Sequence, residues 1–310
     1  MKFTTAMKKF GAMTLTGIVL MGALAGCGSS SDTGSDDAAA DQGSGSSATT
    51  SMSGAIDVVS REDGSGTRGA FIELFGIQTK NGDEKIDNTT ADAIIANQTE
   101  VMMQNVSGDK NAIGYASLGS VNDSIKVLAI DGAEATTENV LNGSYKVSRP
   151  FNIATKGEPT GAAKDFMNFI LSADGQQVVM DNGYIQISDD AEAFTSDGSS
   201  GEITVAGSSS VTPVMEKLKE AYEAVNPNVK ITIQESDSTT GMNNTIEGVC
   251  DIGMASRELS EEELKTLTPV QIALDGIAVI VNPENPIEEL STEQVCSIFT
   301  GETTDWSEIG

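Results

Sequence analysis

The run Ser60-Arg61-Glu62-Asp63-Gly64-Ser65-Gly66-Thr67-Arg68 follows the apolar pair Val58-Val59 and sets a guanidinium, two glycines and several hydroxyls close together. Glycines permit positive φ and close backbone approach, so successive amides can face one concavity at a helix N-terminus, where anions are favoured. Ser65 and Thr67 add hydroxyl donors. Arg61 offers a planar fork suited to two oxygens of a tetrahedral oxyanion, and Asp63, two residues on, is placed to hold that fork. An ordinary turn capping a helix would use the same residue types.

Two further turns share this character. Val205-Ala206-Gly207-Ser208-Ser209-Ser210-Val211-Thr212-Pro213 places three consecutive serines between a strand and a helix. Val211, Val214, Met215, Leu218, Tyr222 and Val225 recur at helical spacing behind them, with Pro213 in the first turn. One cap oxygen serves one or two orphan amides, so three serines exceed what plain capping needs, although capping alone stays open. Glu235-Ser236-Asp237-Ser238-Thr239-Thr240-Gly241 sits the same way, after an alternating strand and before a helix carrying Met242, Ile246 and Val249. Three such turns in one chain favour a shared anion site over three coincidences.

Several other chemistries are excluded. The chain has no His, which removes Ser-His-Asp and Cys-His catalysis and His-based metal sites. No metal or cofactor is expected. Cys250 and Cys296 lack metal-ligand or CxxC spacing and read as small buried side chains, with a disulfide between them as the alternative. A phosphatase using Ser65 as nucleophile would need an activating base or metal that no Asp/Glu set supplies.

The elements that carry these turns alternate, which indicates an α/β architecture. Strands are expected at Ile56–Ser60, Ala112–Ala116, Lys126–Ile130, Tyr145–Ala154 (interrupted by Pro150), Ile203–Ala206, Val229–Gln234, Asp251–Ala255 and Gly276–Val281. Helices are expected at Thr67–Phe75, Thr90–Ile95, Thr99–Val106, Gly161–Leu171, Asp174–Asp181, Thr212–Val225, Thr240–Val249 and Thr292–Phe299, with a short acidic one at Ser260–Leu267 capped by Ser260. The segment Ser188–Gly201 reads as an internal linker.

The N-terminal residues have a different purpose. Lys2, Lys8 and Lys9 precede an apolar stretch from Ala12 to Leu24, giving a secretory leader over residues 1–26. The apolar stretch is short for a bilayer core, which needs about 20 residues. Leu24-Ala25-Gly26-Cys27 resembles the lipobox of bacterial lipoproteins, in which the Cys becomes the lipid-bearing N-terminus. Residues 27–53, rich in Ser, Gly, Asp, Ala and Thr, form a tether that cannot bury a core. Net charge is −28, and three units more negative once the leader's lysines are gone. Such a surface disfavours nucleic acid and anionic membrane surfaces as partners. It does not exclude a small anion in a dry cleft, because distant carboxylates are screened within about 8 Å.

SREDGSGTRGAF resembles the signature loop of the phosphate-binding proteins of phosphate ABC importers. ITVAGSSSVTPVMEKLKEAY, SDSTTGMNNTIEGVCDIGMASREL, DGIAVIVN, TGETTDW, NAIGYASL and RPFNIATKG resemble other segments of that family, so the likeness covers essentially residues 54–310. It implies a two-lobed, type II periplasmic-binding-protein fold with the ligand cleft between the lobes. It also implies that Arg61, Ser65, Gly66 and Thr67 bind phosphate from one lobe. Ser209 with Ser208 and Ser210, Ser238 with Thr239, and Ser256 in the loop after the DIG strand would bind from the other. Asp63 and Arg257 would play supporting parts, Arg257 either adding positive charge or pairing with Glu258 or Glu261.

Two departures from the family pattern stand out. The SREDGSGTR half precedes the AGSSS half, so the chain reads as circularly permuted, its old termini joined through Ser188–Gly201. One lobe would then comprise residues 54–148 plus 276–310 and the other residues 149–275, hinged at Gly276–Val281 and Tyr145–Ala154. The DIG loop, where several members carry a carboxylate that accepts a phosphate proton, reads Met254-Ala255-Ser256-Arg257-Glu258, which weakens the basis for rejecting sulfate. The implied role is delivery of phosphate to the permease and ATPase of an importer by a monomer held outside the membrane through lipid at Cys27. A sulfate- or molybdate-type binder and a non-transporting sensor are the competing readings.

Overall fold

The computed structural model describes residues 52–82 and 84–309. The expected leader, Cys27 and nearly all of the tether lie outside the described residues. Strands β1 (Asp57–Arg61), β2 (Gln78–Asn81), β3 (Glu84–Asp87), β4 (Ile94–Ala96), β5 (Ala112–Ser117), β6 (Lys126–Val127) and β7 (Ala129–Ile130) come first, interspersed with helices α1 (Gly66–Leu74), α2 (Thr99–Gly108) and α3 (Thr137–Leu141). Next, β8 (Ser148–Lys156) leads to α4 (Gly161–Leu171) and α5 (Ala173–Asp181). Then β9 (Gly201–Ser208), α6 (Thr212–Val225), β10 (Val229–Ser236), α7 (Ser238–Glu247) and β11 (Ile252–Ala255) alternate. They are followed by β12 (Leu267–Val281), β13 (Glu289–Leu290) and α8 (Thr292–Thr300).

The main sheet runs in the order β10-β9-β11-β8-β12-β5-β1-β4, with β6 also on β12. Its ends are parallel and its middle is antiparallel: β10, β9 and β11 pair in parallel, as do β5, β1 and β4, whereas β8 and β12 run against their neighbours. β12 lies on β8 from Leu267 to Gly276 and on β5 from Ile277 to Val281. The apolar core divides at the same point. One cluster gathers residues between Val58 and Val147 with those between Ile277 and Trp306; a second gathers residues between Phe151 and Ala273, and a small third, of Ala154, Met242, Ala255, Leu259 and Leu267, falls in the same stretch of chain as the second. Ile185 is the exception, packing with the first cluster while its backbone bonds Leu274 of β12. The fold is thus two-lobed, and the lobe that holds β1 is assembled from both ends of the described chain.

At the changeover, the buried Asp275 carboxylate accepts from Ser117 Oγ at 3.0 Å, Gly119 N at 3.3 Å and Arg149 Nη2 at 3.1 Å. It ties β5, β8 and β12 together where the chain passes between lobes. Burial outweighs the Arg149 charge and pushes the Asp275 carboxyl up to about 6.

Four expected elements differ, the first being Lys126–Ile130, which divides at Leu128 into β6 on β12 and β7 on β13. Thr90–Ile95 contains no helix; Ile94 and Ile95 enter β4 and pair in parallel with Val59 and Ser60, where β-branched side chains fit a pleated surface. The Ser260–Leu267 helix shrinks to one 3₁₀ turn, Glu263–Lys265, because Leu267 already pairs with Lys156 in the sheet. Ser260 still caps that turn, accepting from Glu263 N at 3.3 Å. β8 continues through Pro150, tolerated because β11 begins pairing only at Asn152 and no partner on that side needs the missing N–H.

The linker segment has no regular structure before Gly201, yet it is fastened to its lobe. Asp165 of α4, which is 1% exposed, accepts from Ser196 Oγ at 2.8 Å and Asp197 N at 3.0 Å on the linker. It also accepts from Tyr222 Oη at 2.8 Å and Asn226 Nδ2 at 3.2 Å on and just after α6. Phe194 sets its ring edge-on to Phe169, 5.2 Å between centroids. Cys250 and Cys296 are free thiols, the first buried and the second half-buried. Among the described residues no helix is long and apolar enough to cross a membrane.

Candidate functional site

β1, β4, β9 and β10 each end by feeding a helix, so the N-termini of α1, α2, α6 and α7 lie beyond the carboxyl ends of parallel strands, where open α/β sheets bind ligands. Side-chain contacts show that these starts meet between the lobes. Arg61, the last residue of β1 and 2% exposed, donates from Nη2 to Ser209 Oγ of the opposite lobe at 3.0 Å and from Nη1 to Thr99 Oγ1 at 3.3 Å. Thr67 Oγ1 and Ser210 Oγ, again from opposite lobes, are 2.8 Å apart. Thr99 Oγ1 is 3.1 Å from both Ser209 Oγ and Ser210 Oγ. A second set joins it: Ser208 Oγ donates to Ser256 Oγ at 2.9 Å, and Ser256 N donates to Ser238 Oγ at 3.1 Å.

Gly66 links the two sets. A Cβ at this position would lie 2.5 Å from Ser238 Oγ and 2.8 Å from Ser256 Oγ, so only glycine lets the loop approach the opposite lobe this closely. Ser65 caps α1, its Oγ accepting from Arg68 N at 3.3 Å. That role leaves its O–H available as a donor. Arg61, Ser65, Thr67, Ser208, Ser209, Ser210, Ser238 and Ser256 are all buried, and all of them but Ser65 are joined by the side-chain contacts above.

Three expectations are corrected. Asp63 does not hold the Arg61 fork. Its side chain is fully exposed and pairs with Arg68 at 3.1 Å, while Glu62 grips Arg61 with both oxygens, at 2.7 Å from Nε and 2.8 Å from Nη2. Alternation along β1 would put Asp63 on the Arg61 side, but the strand ends at Arg61 and the chain turns at once. Thr239 directs its hydroxyl to the Gly64 carbonyl at 3.1 Å, which uses its one donor. Arg257 adds no free charge to the site: it is forked onto Glu263 at 2.8 Å through both Nη1 and Nη2, and not onto Glu258 or Glu261.

Three contributors carry little sequence signal. Thr99 opens a helix whose N-cap, Gln98, makes no side-chain cap bond, so nothing local marks it; only its place at a helix start hints at a role. Tyr115, buried in β5, accepts from Arg61 N at 3.0 Å and lies 2.9 Å from Ser60 Oγ. Burial raises its phenol above the usual range and keeps it neutral. Glu235, at the end of β10, lies within the field of Arg61; desolvation raises its carboxyl and the Arg61 charge opposes the rise.

Chemically, the arrangement offers one guanidinium, several hydroxyls and the amides of four helix starts, all from two lobes facing each other. It suits a small oxyanion held between the lobes, with the Glu62 carboxylate paired to the guanidinium. Among the described residues no group of three or more Cys, Asp or Glu side chains has a metal-binding arrangement.

The model of the PBP superfamily domain matches residues 34–174 and 192–310. A phosphate-binding protein of Streptococcus agalactiae, PstS 2, is 52% identical over 305 residues, which is 97% of this chain and 98% of that one. Its counterpart in Streptococcus pneumoniae is 49% identical over 259 residues, covering 84% and 89%. A crystal structure of a phosphate ABC transporter phosphate-binding protein from Streptococcus pneumoniae is 48% identical, covers 83% of this chain and 100% of that one, and superposes with a TM-score of 0.67.

Proposed function

The chain belongs to the PBP superfamily and, within it, to the phosphate-binding proteins, and we propose that it captures inorganic phosphate for an ABC-type importer. The observation that carries this reading is the position of Arg61: a buried fork at the end of β1 that reaches Ser209 across the cleft. Phosphate would be held by Arg61, Ser65, Gly66 and Thr67 from one lobe and by Ser208, Ser209, Ser210, Ser238 and Ser256 from the other. The lobes would close over it by bending where β8 and β12 pass between them. Binding and release suffice for such a role, without covalent chemistry.

The order of the halves fits this assignment. The Streptococcus agalactiae relative aligns over nearly the whole of both chains, so it shares the order in which the SREDGSGTR half comes first. Cys27 would carry lipid and hold a monomer outside the membrane, where it would hand phosphate to a permease driven by an ATPase.

Glu62 bears on selectivity. A carboxylate beside an enclosed oxyanion favours one that carries a proton to share and repels one that carries none, so phosphate is preferred to sulfate although the DIG loop supplies no acid. Calorimetric titration of the purified protein with phosphate and with sulfate at neutral pH tests both points. Phosphate is expected to bind in the micromolar range or tighter, and sulfate at least about 100-fold more weakly, a difference of about 2.7 kcal/mol. Sulfate binding with no response to phosphate would overturn the reading.

A further inference from the structure

We propose that Arg257 is a positioning residue that latches the closed lobes, acting through Thr239 on the carbonyl of Gly64. The latch takes its ligand from the phosphate reading above but rests on separate contacts. Thr239, in the first turn of α7, donates to Gly64 O twice, from its backbone N at 3.2 Å and from Oγ1 at 3.1 Å. Gly64 belongs to the loop of the opposite lobe. Arg257 Nη2 donates to the same Thr239 Oγ1 at 3.1 Å, filling the lone pair that faces away from Gly64 and so directing the O–H across the cleft.

Arg257 is itself held in place. Its fork rests on Glu263, whose carboxylate also accepts from Ser260 N at 2.7 Å, and its Nη1 reaches Glu258 O at 3.0 Å. This explains why the loop after β11 carries an arginine that contributes no free charge to the anion site. The approach at Gly64 is tight: φ is +87°, and a Cβ there would lie 2.5 Å from Asp237 Oδ1 and 3.3 Å from Thr239 Cβ. Such proximity requires the lobes to be together.

The latch sits one residue from the proposed phosphate ligands on both sides, since Thr239 follows Ser238 and Gly64 precedes Ser65. Forming it brings those donors into register. Because its bonds join separate lobes, they stabilise the closed form and are lost on opening, so the latch acts on how long phosphate stays and little on how fast it arrives.

Stopped-flow measurement of phosphate association and release by the wild type, Thr239→Val, Arg257→Ala and the double variant tests this. Release is expected to quicken about five- to tenfold in each single variant, as for loss of one inter-lobe hydrogen bond, while association stays within about twofold. The double variant should release no faster than Thr239→Val, because both residues act through one hydroxyl. Melting temperatures near the wild-type value show that the variants are folded. In parallel, the Thr239 amide should exchange hydrogen faster in Arg257→Ala than in the wild type without added anion.

Wild-type release rates in both single variants, or additive effects in the double variant, would overturn the latch, as would unchanged Thr239 exchange. If the wild type fails to bind phosphate, the functional reading falls while the exchange comparison still decides the latch.

Discussion

Arg61→Ala is expected to reduce phosphate affinity by at least about 30-fold, and by several thousand-fold at the upper end. Removing one buried, hydrogen-bonded charge from such a site costs about 2–5 kcal/mol, part of it from the partner left behind. Here that partner is Glu62, whose carboxylate would face an incoming anion with no guanidinium between them. Ser209 and Thr99 would also lose their shared donor. The fold should persist, because Arg61 reaches into the cleft and belongs to no apolar cluster. Calorimetry and a thermal melt of the ligand-free variant check the two halves separately: near-normal affinity would refute the assignment of Arg61.

The largest effect on stability is expected at Asp165→Ala. The carboxylate collects four donors from α6, the residue that follows it and the linker, with no cation beside it. Its removal strands the buried Tyr222 hydroxyl and Asn226 amide and frees the linker, at about 3–4 kcal/mol in urea unfolding near neutral pH. The pH dependence has a definite sign. The four donors hold the Asp165 carboxyl below its ordinary value in the folded protein despite the opposing effect of burial. Its stabilisation is therefore complete above the unfolded value, about pH 4, and is lost as pH falls through the lower folded value. The gap between wild type and variant should narrow over that acid range. A gap that stayed constant, or one below about 1 kcal/mol at neutral pH, would contradict this role.

The contrast between these two residues marks what the sequence discloses. Arg61 stands out as a candidate in the sequence because its chemistry is local: a strand, glycines and hydroxyls lie in one short run, and the serine-rich turns repeat the signal twice. Asp165 was not legible, since its partners are 31 to 61 positions away and nothing in the apolar pattern of α4 marks it. The same division explains the corrections. Ile94 and Ile95 fall in a stretch that reads as helical, and become a strand only because β1 offers a parallel edge. Which of the adjacent carboxylates, Glu62 or Asp63, meets Arg61 depends on where β1 stops, a matter of one residue that periodicity does not resolve. Thr99 reaches the site because α2 starts beside α6, a neighbourhood set by tertiary packing. The expectation of two lobes comes from family-like segments in a recognisable, reversed order; in the structure the core clusters part where β12 changes partners.

The most direct test of the central claim is a crystal structure of the protein grown with phosphate. One tetrahedral anion is expected between the lobes, its oxygens about 3 Å from the Arg61 guanidinium, from Ser65 and Thr67 on one side and from Ser209 and Ser238 on the other. Phosphate held by one lobe alone, or bound elsewhere while Arg61 keeps its contacts to Thr99 and Ser209, would contradict it.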